Sequence, residues 1–473
     1  MELFFSKWIL SVLTIKYFRC LLLFITFTFY GCSQNSKSII DNIAVPNTFI
    51  SKGTAAHKDK WWHAFNNKEL NRLVTQALNE NNTIQAIQLR EKASQLGIVS
   101  AGAGQLPSLN LVSGTQADIT DIAQIDSANL GLAASWELDL WGKLESVEEK
   151  AYWQHQELTA LSHAKENLVA ASIVNAWLLS LSEHQKYQVL EKQYQRTNQA
   201  LKVISRRFAM GKSSVTDIWQ QEKLVKSIEV KQSKNDVASY LAKQNLANWL
   251  GEMDTSKVIV AFTAVPHLPP LPKMGIPLEQ LANRPDIQQS FAKVHSADAS
   301  VATAVAERLP RITLRASYST QKTNVEELFD DWSGNLISSL VLPLFDGGKR
   351  RAVVEQKKLH LQAAIVEYKQ TWLEAIAAVN KALLNENQLM NVVENLKLQL
   401  SLAQKTEQLT TLKYLNSKIK YISLLNAQED ILSLEIQLID AKKALLINRV
   451  LLYRELSHGD FSQLASTSPT MKE

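Results

Sequence analysis

From Lys349 to His458 the chain contains no glycine and no proline, although both occur elsewhere. These are the strongest helix breakers, so the run predicts helix interrupted at most once. Cysteine is almost absent: Cys20 and Cys32 are the only two, which excludes a disulfide framework and a zinc-ligand spacing. Past residue 32 no apolar run reaches the roughly 18 residues of a transmembrane helix, so any membrane crossing must use a β-barrel. A net charge of +5 over 473 residues is too small to point to nucleic acid. The nine histidines are scattered without metal-ligand spacing, and no nucleophile elbow or catalytic cysteine is present. Gly211-Lys212-Ser213 resembles the end of a phosphate loop, but Arg206 stands where the required glycine would be, and no strand precedes it. The chain is therefore expected to be no enzyme and to hold no cofactor or metal.

What is present is periodicity. Leu424, Ile431, Leu438, Leu445 and Leu452 recur every seven residues, and Leu425, Leu432, Ile439, Leu446 and Tyr453 form a second row beside them. Leu361, Tyr368, Ala375, Ala382, Leu389, Leu396 and Ala403 form a row in the first half of the run. A strict seven-residue period marks a coiled coil, and two adjacent rows mean contact on two sides. A helix from Lys349 to about Lys413 would span roughly 100 Å. A purely structural coiled coil fits this pattern alone.

The amino terminus reads as a targeting segment. Lys7, Lys16 and Arg19 precede an apolar stretch from Cys20 to Tyr30, and Phe29-Tyr30-Gly31-Cys32 resembles a bacterial lipobox. This makes Cys32 the expected lipidation site; the alternative is a plain signal peptide or anchor with an incidental cysteine. Leu130 to Leu140 alternates strictly between apolar and small or polar residues, which predicts a membrane strand or a half-buried soluble one. Leu109 and Leu111 begin a shorter partner strand after Pro107. Arg311 to Ser319 alternates in the same way, and Leu336 to Phe345 is the strand expected after it. Helices are expected over Lys143–Met210, from Gly211 to Leu250, and from Leu278 to about Arg308. The organisation expected is a signal peptide (1–31), a lipidated arm (32–60), a first repeat (61–264), a proline-rich linker (265–277), a second repeat (278–458) and a polar tail (459–473).

The two halves look like copies. Leu106-Pro107-Ser108-Leu109-Asn110-Leu111 matches Leu309-Pro310-Arg311-Ile312-Thr313-Leu314, Leu138 to Trp141 matches Leu342 to Phe345, and Phe208 to Lys212 matches Tyr414 to Lys418. Each half predicts helix, two strands and a long helical hairpin. Four strands cannot close a barrel, and open sheet edges cannot sit in lipid. Three chains would supply twelve strands, within the range of outer-membrane barrels.

Trp61-Trp62-x-x-Phe65, Trp136-Glu137-Leu138-Asp139-Leu140-Trp141-Gly142-Lys143, Asn283-Arg284-Pro285-Asp286-Ile287 and Pro343-Leu344-Phe345-Asp346-Gly347-Gly348-Lys349 carry a family resemblance. With the repeat and Cys32, the chain resembles the TolC-like outer-membrane efflux proteins, in the lipoprotein branch typified by OprM and NodT. Gln289-Ser290 departs from the family's usual Ala-Glu.

The resemblance implies a mainly α protein with membrane β structure. It would be a homotrimer whose 12-stranded β-barrel, four strands per chain, continues into an α-helical coiled-coil barrel. The implied location is the outer membrane, lipid-anchored and extending into the periplasm. The implied partners are outer-membrane lipid, a periplasmic adaptor and an inner-membrane pump. The implied cargo is drugs, metals or other small toxic solutes, with a type I protein secretion channel as the alternative. A periplasmic gate is expected at the hairpin turns. Tyr414 and Asp217 match family positions there, while Ser423 and Asn426 stand where relatives often carry Asp. Gly211, Lys212, Ser417 and Lys418 are the expected adaptor-docking tips.

Overall fold

In the computed structural model of the chain, residues 49, 60–117, 125–258, 260, 265–272, 280–323 and 325–457 are described. The expected signal peptide, Cys32, most of the 32–60 arm, the end of the linker and the 459–473 tail lie outside them. Among the described residues no helix is long and apolar enough to cross a membrane.

A 3₁₀ turn, Trp61–Phe65, is followed by helices α1 (Lys68–Glu80) and α2 (Asn82–Gly102), then strands β1 (Ser108–Ala117) and β2 (Ile125–Leu138). Helices α3 (Lys143–Ala209) and α4 (Val215–Leu250) form the first hairpin. After the linker come α5 (Pro285–Ala306), β3 (Arg311–Lys322) and β4 (Ser333–Val341). Helices α6 (Lys349–Leu415) and α7 (Tyr421–Leu456) form the second hairpin. Both long helices have 67 residues and both short ones 36. At 1.5 Å per residue, each long helix spans about 100 Å.

The long helices start alike. Gly142 and Gly348 are left-handed N-caps, with φ of 68° and 86°. Asp139 accepts from the Lys143 and Glu145 amides at 2.7 and 2.9 Å, and Asp346 accepts from the Gly348 and Arg350 amides at 3.0 and 3.1 Å. A carboxylate there satisfies orphan N–H groups at the positive end of the helix.

Several expected boundaries move, three of them for a reason visible in the local structure. β2 ends at Leu138 rather than Leu140, because Asp139 has left the ladder to cap α3. β4 ends at Val341 rather than Phe345: its neighbour β3 begins at Arg311, whose partner is Val341, so nothing among the described residues pairs with Leu342–Phe345. The continuous α5 begins at Pro285 rather than Leu278. A residue before proline is pushed out of the α region, and Arg284 is extended at ψ 139° with Pro285 at the first helical turn.

The strands form one antiparallel sheet in the order β1-β2-β3-β4, leaving β1 and β4 as open edges. Helix α3 packs against α2, α4, α5 and α7, while α6 packs against α5 and α7. No member of either predicted heptad row of α7 is exposed, as expected of a helix gripped from two sides.

One core gathers Trp61, Trp62 and Phe65 with α1, the middle of α3 and the ends of α4 and α7. Trp61 stacks on Tyr453 with ring centres 5.9 Å apart. The described part of the linker is held against α7. Arg449, paired with Glu386 of α6 at 2.5 Å, also donates to the Pro269 carbonyl, and the Tyr453 hydroxyl donates to that of Pro270 at 2.8 Å.

Candidate functional site at the hairpin tips

The two hairpins turn in nearly the same way. In the first, the Lys212 amide donates to the Arg207 carbonyl at 2.8 Å and the Gly211 amide to that of Phe208 at 2.9 Å. In the second, Lys418 donates to Lys413 at 2.9 Å and Ser417 to Tyr414 at 2.8 Å. This is a Schellman closure, which places one left-handed residue just past the helix. Gly211 takes that position with φ 65°, and Ser417, a non-glycine residue, takes it with φ 58°.

The helices leaving the turns differ. α4 starts with a full capping box: Ser214 Oγ accepts from the Asp217 amide at 3.2 Å, and Asp217 Oδ2 accepts from the Ser214 amide at 3.0 Å and from Ser213 Oγ at 2.9 Å. α7 starts at Lys420 with no side-chain cap.

Between the turns lies a cleft of about 420 Å³. Its lining includes Arg207, Lys212, Asp217, Tyr414, Ser417 and Tyr421. The structure thus brings together Tyr414, Asp217, Lys212 and Ser417 of the expected site residues. Ser423 and Asn426 are exposed on α7 and do not line the cleft; Gly211 and Lys418 are exposed on the turns.

Beneath the cleft is an apolar cluster, with Leu190 and Ile204 of α3, Leu224 and Ile228 of α4, and Leu424, Leu425 and Leu432 of α7 around Tyr414 and Tyr421. The two tyrosine rings lie 5.1 Å apart, and the Arg207 guanidinium lies 5.2 Å from the centre of the Tyr414 ring. This cation–π contact joins the end of the first hairpin's long helix to that of the second. The Tyr414 hydroxyl is buried and has no hydrogen-bond partner among the described residues.

At the tips, Tyr421 makes a polar link between the hairpins. Its hydroxyl donates to Gln221 Oε1, and Gln221 Nε2 donates to the Thr197 carbonyl at 2.7 Å. Gln221 is 0% exposed. Burial, with Tyr414 and Asp217 nearby, pushes the Tyr421 hydroxyl above the usual tyrosine range, so it remains a neutral donor.

Arg207, Gln221 and Tyr421 were not singled out from sequence. A usable signal existed for Gln221, which occupies a seven-residue row with Ile228, Asn235 and Ala242. A polar residue in such a row often fixes how helices pair. Among the described residues no group of His, Cys, Asp and Glu forms a metal cluster.

Comparison with known proteins supplies the context. The family model described as "Outer membrane efflux protein" matches residues 73–252 and 276–457. The pyoverdine export outer membrane protein OpmQ of Pseudomonas aeruginosa is 26% identical over 457 residues, covering 91% of this chain and 94% of its own. Nodulation protein T of Rhizobium leguminosarum bv. viciae is 26% identical over 420 residues, covering 86% of each. A crystal structure of CusC superposes with a TM-score of 0.80 at 22% identity, over 88% of this chain and 97% of that one. The family match falls in two blocks, one on each side of the linker, and each block contains a hairpin and its pair of strands. The chain belongs to the outer membrane efflux protein family.

Proposed function

We propose that three copies of this chain close into one tube, a 12-stranded barrel in the outer membrane continuous with a helical barrel across the periplasm. Through it, small toxic solutes pass passively from a periplasmic adaptor and inner-membrane pump to the exterior. The chain is an outer-membrane efflux channel subunit, and its duplicated halves make six near-equivalent hairpins from three chains.

The observation that carries this reading is a correspondence between pairings inside the chain and surfaces left open on it. Moving Ser108↔Ser135 of the β1–β2 ladder forward by 203 and 206 residues gives Arg311↔Val341, a pair the β3–β4 ladder contains. On these shifts Leu344, rather than Leu342, is the counterpart of Leu138 in the proposed repeat. The same shifts carry the β2–β3 pairs Leu138↔Ile312 and Trp136↔Leu314 onto Leu344↔Leu109 and Leu342↔Leu111. Those residues sit on opposite edges of the sheet, so the pairs form only between copies. Leu344 and Phe345, just past the end of β4, are 87% and 93% exposed in the single chain, as a segment awaiting its partner would be.

The helices repeat the logic. Trp153 of α3 packs on Phe291 and His295 of α5 at 5.9 and 4.3 Å. Its counterpart Leu359 on α6 is 65% exposed, and Leu89, Leu96 and Val99 on α2, the counterpart of α5, are exposed too. The α2 helix of the next copy covers Leu359 in the ring. At the far end, the cleft of Arg207, Asp217, Tyr414 and Tyr421 is the gate, and Gly211, Lys212, Ser417 and Lys418 are the tips that meet the adaptor. Ser423 and Asn426, exposed on α7 outside that cleft, belong to the same proposed gate.

Cysteines at 111 and 342 test the closure, since directly opposed antiparallel residues lie within disulfide reach. Oxidising Leu111→Cys/Leu342→Cys in membranes is expected to yield a covalent trimer that reduction returns to monomer. A chain that stays monomeric after oxidation, while either single variant behaves in the same way, rules the tube out.

A further inference from the structure

The strand registers sort the sheet into two faces. One carries Leu109, Leu111, Leu132, Trp136, Leu314 and Leu340, and its one described charge, Lys322, is paired with Asp331 at 2.9 Å. The other face is built of serine, threonine, asparagine, glutamine and small residues, with a few aliphatics. Its described charges are Glu137, Arg311 and Arg315. Glu137 is already held by Lys143 at 2.7 Å. Neither arginine forms an ion pair with a carboxylate among the described residues, and their partners across the ladder are neutral: Val341 for Arg311, and Ser135 and Ile337 for Arg315. The polar face thus carries two uncompensated positive charges per chain. Both lie at the start of β3, the end nearest the helices.

We infer that Arg311 and Arg315 form a ring of guanidinium groups where the helical tube opens into the barrel, and that this ring favours anionic solutes bearing carboxylate, phosphate or sulfonate groups over cationic ones. The inference rests on the barrel reading, which makes the polar face the lumen. Rings of charged side chains set the sign of the ion a pore prefers, and a low-dielectric wall focuses their field across the lumen. Arginine stays charged at every physiological pH and presents a planar fork that matches carboxylate and phosphate. Four residues span about 13 Å along one strand, or about 10 Å along the path once the strand tilts by about 40°, so a passing anion meets two tiers in succession.

Ser135→Cys places a thiol directly opposite Arg315. Trimers in lipid vesicles are treated with methanethiosulfonate reagents of charge −1 and +1, and mass spectrometry of the peptide containing position 135 gives both rates. A lumen potential of about 1 kT changes their ratio about sevenfold. The ratio of anionic to cationic rates is therefore expected to fall by about that factor in the Arg311→Ser/Arg315→Ser background. If that double variant does not assemble, Arg315→Gln alone gives a smaller fall in the same direction.

A ratio that does not change overturns the arginine ring and leaves the barrel standing. Leu132→Cys, on the apolar face, separates the two ideas. If Ser135→Cys is shielded in lipid, or Leu132→Cys reacts as fast, the barrel reading fails and the ring with it.

Discussion

Tyr421→Phe removes one oxygen atom and tests whether the tips form a latch. The lost hydroxyl is the donor to Gln221 Oε1, and Gln221 is fully buried between the hairpins. Its amide still donates to the Thr197 carbonyl at 2.7 Å, so it stays in place with an unsatisfied acceptor. Stranding a buried polar atom costs about 1–3 kcal/mol, which moves a closed-to-open equilibrium by roughly 5- to 150-fold.

Single-channel recording in planar bilayers reads this as a rise in open probability. Calorimetry reads it as a lower melting temperature, and cells show it as new susceptibility to a large hydrophilic antibiotic. Tyr414→Phe is the matched control: that hydroxyl is buried with no partner among the described residues, so its removal does not lower the chain's own stability. Raised pH does not mimic Tyr421→Phe below about pH 10. The folded hydroxyl holds its proton more tightly than the unfolded one, so stability is lost only as pH climbs through the unfolded tyrosine value. A Tyr421→Phe protein that melts and gates like the parent refutes the latch.

Three further outcomes follow from other sites. Ser417 holds a left-handed conformation that glycine adopts freely, so Ser417→Gly is expected to raise stability by about 1 kcal/mol, read as an increase in melting temperature. Glu386→Gln leaves Arg449, with a side chain 3% exposed, without its carboxylate, and is expected to cost about 3–5 kcal/mol and most of the trimer yield, read by semi-native electrophoresis. Cys32→Ser is expected to abolish metabolic labelling with fatty acid, and persistent labelling would place the acyl group elsewhere.

Much of the fold was legible because its strongest determinants are local. A stretch of 110 residues without glycine or proline becomes two helices broken once, and the break falls where the repeat places it. Alternation located the strands but misjudged their ends for a physical reason. Period two continues through Asp139-Leu140, yet a carboxylate four residues before a helical amide is worth more as a cap than as a rung. Likewise Leu278 to Arg308 reads as one helix until Pro285 is given its full effect on Arg284. At the tips, Tyr414 and Asp217 were named through the family resemblance and Lys212 and Ser417 as turn residues, and all four share one cleft. Tyr421 and Gln221 were missed because their bond spans 200 residues, and neither repeats at the corresponding position: Val215 answers to Tyr421 and Ala427 to Gln221.

That asymmetry bears on how such a tube can open at one end only. Were the six hairpins of a closed ring identical, every seam at the tip would be the same, and loosening one would loosen all. Here the seam within a chain is held by the Tyr421–Gln221 bond and the Arg207–Tyr414 contact. In the proposed ring the seam between chains would join the opposite flanks of the hairpins, where α4 exposes Trp219 and α6 exposes Leu409 and Leu412. Apolar side chains pack without the directional demand of a hydrogen bond, so sliding forfeits little until area is lost. The second turn is also the less secured of the two, since it lacks both the glycine and the capping box of the first. Motion is therefore expected to begin at the second turn, with the α4–α6 seam between chains adjusting first and the Tyr421–Gln221 bond breaking last. Hydrogen exchange at the α7 amides from Tyr421 to Leu425 should accordingly outpace that at the α4 amides from Asp217 to Gln221. The reverse order would place the mobile element on the first hairpin.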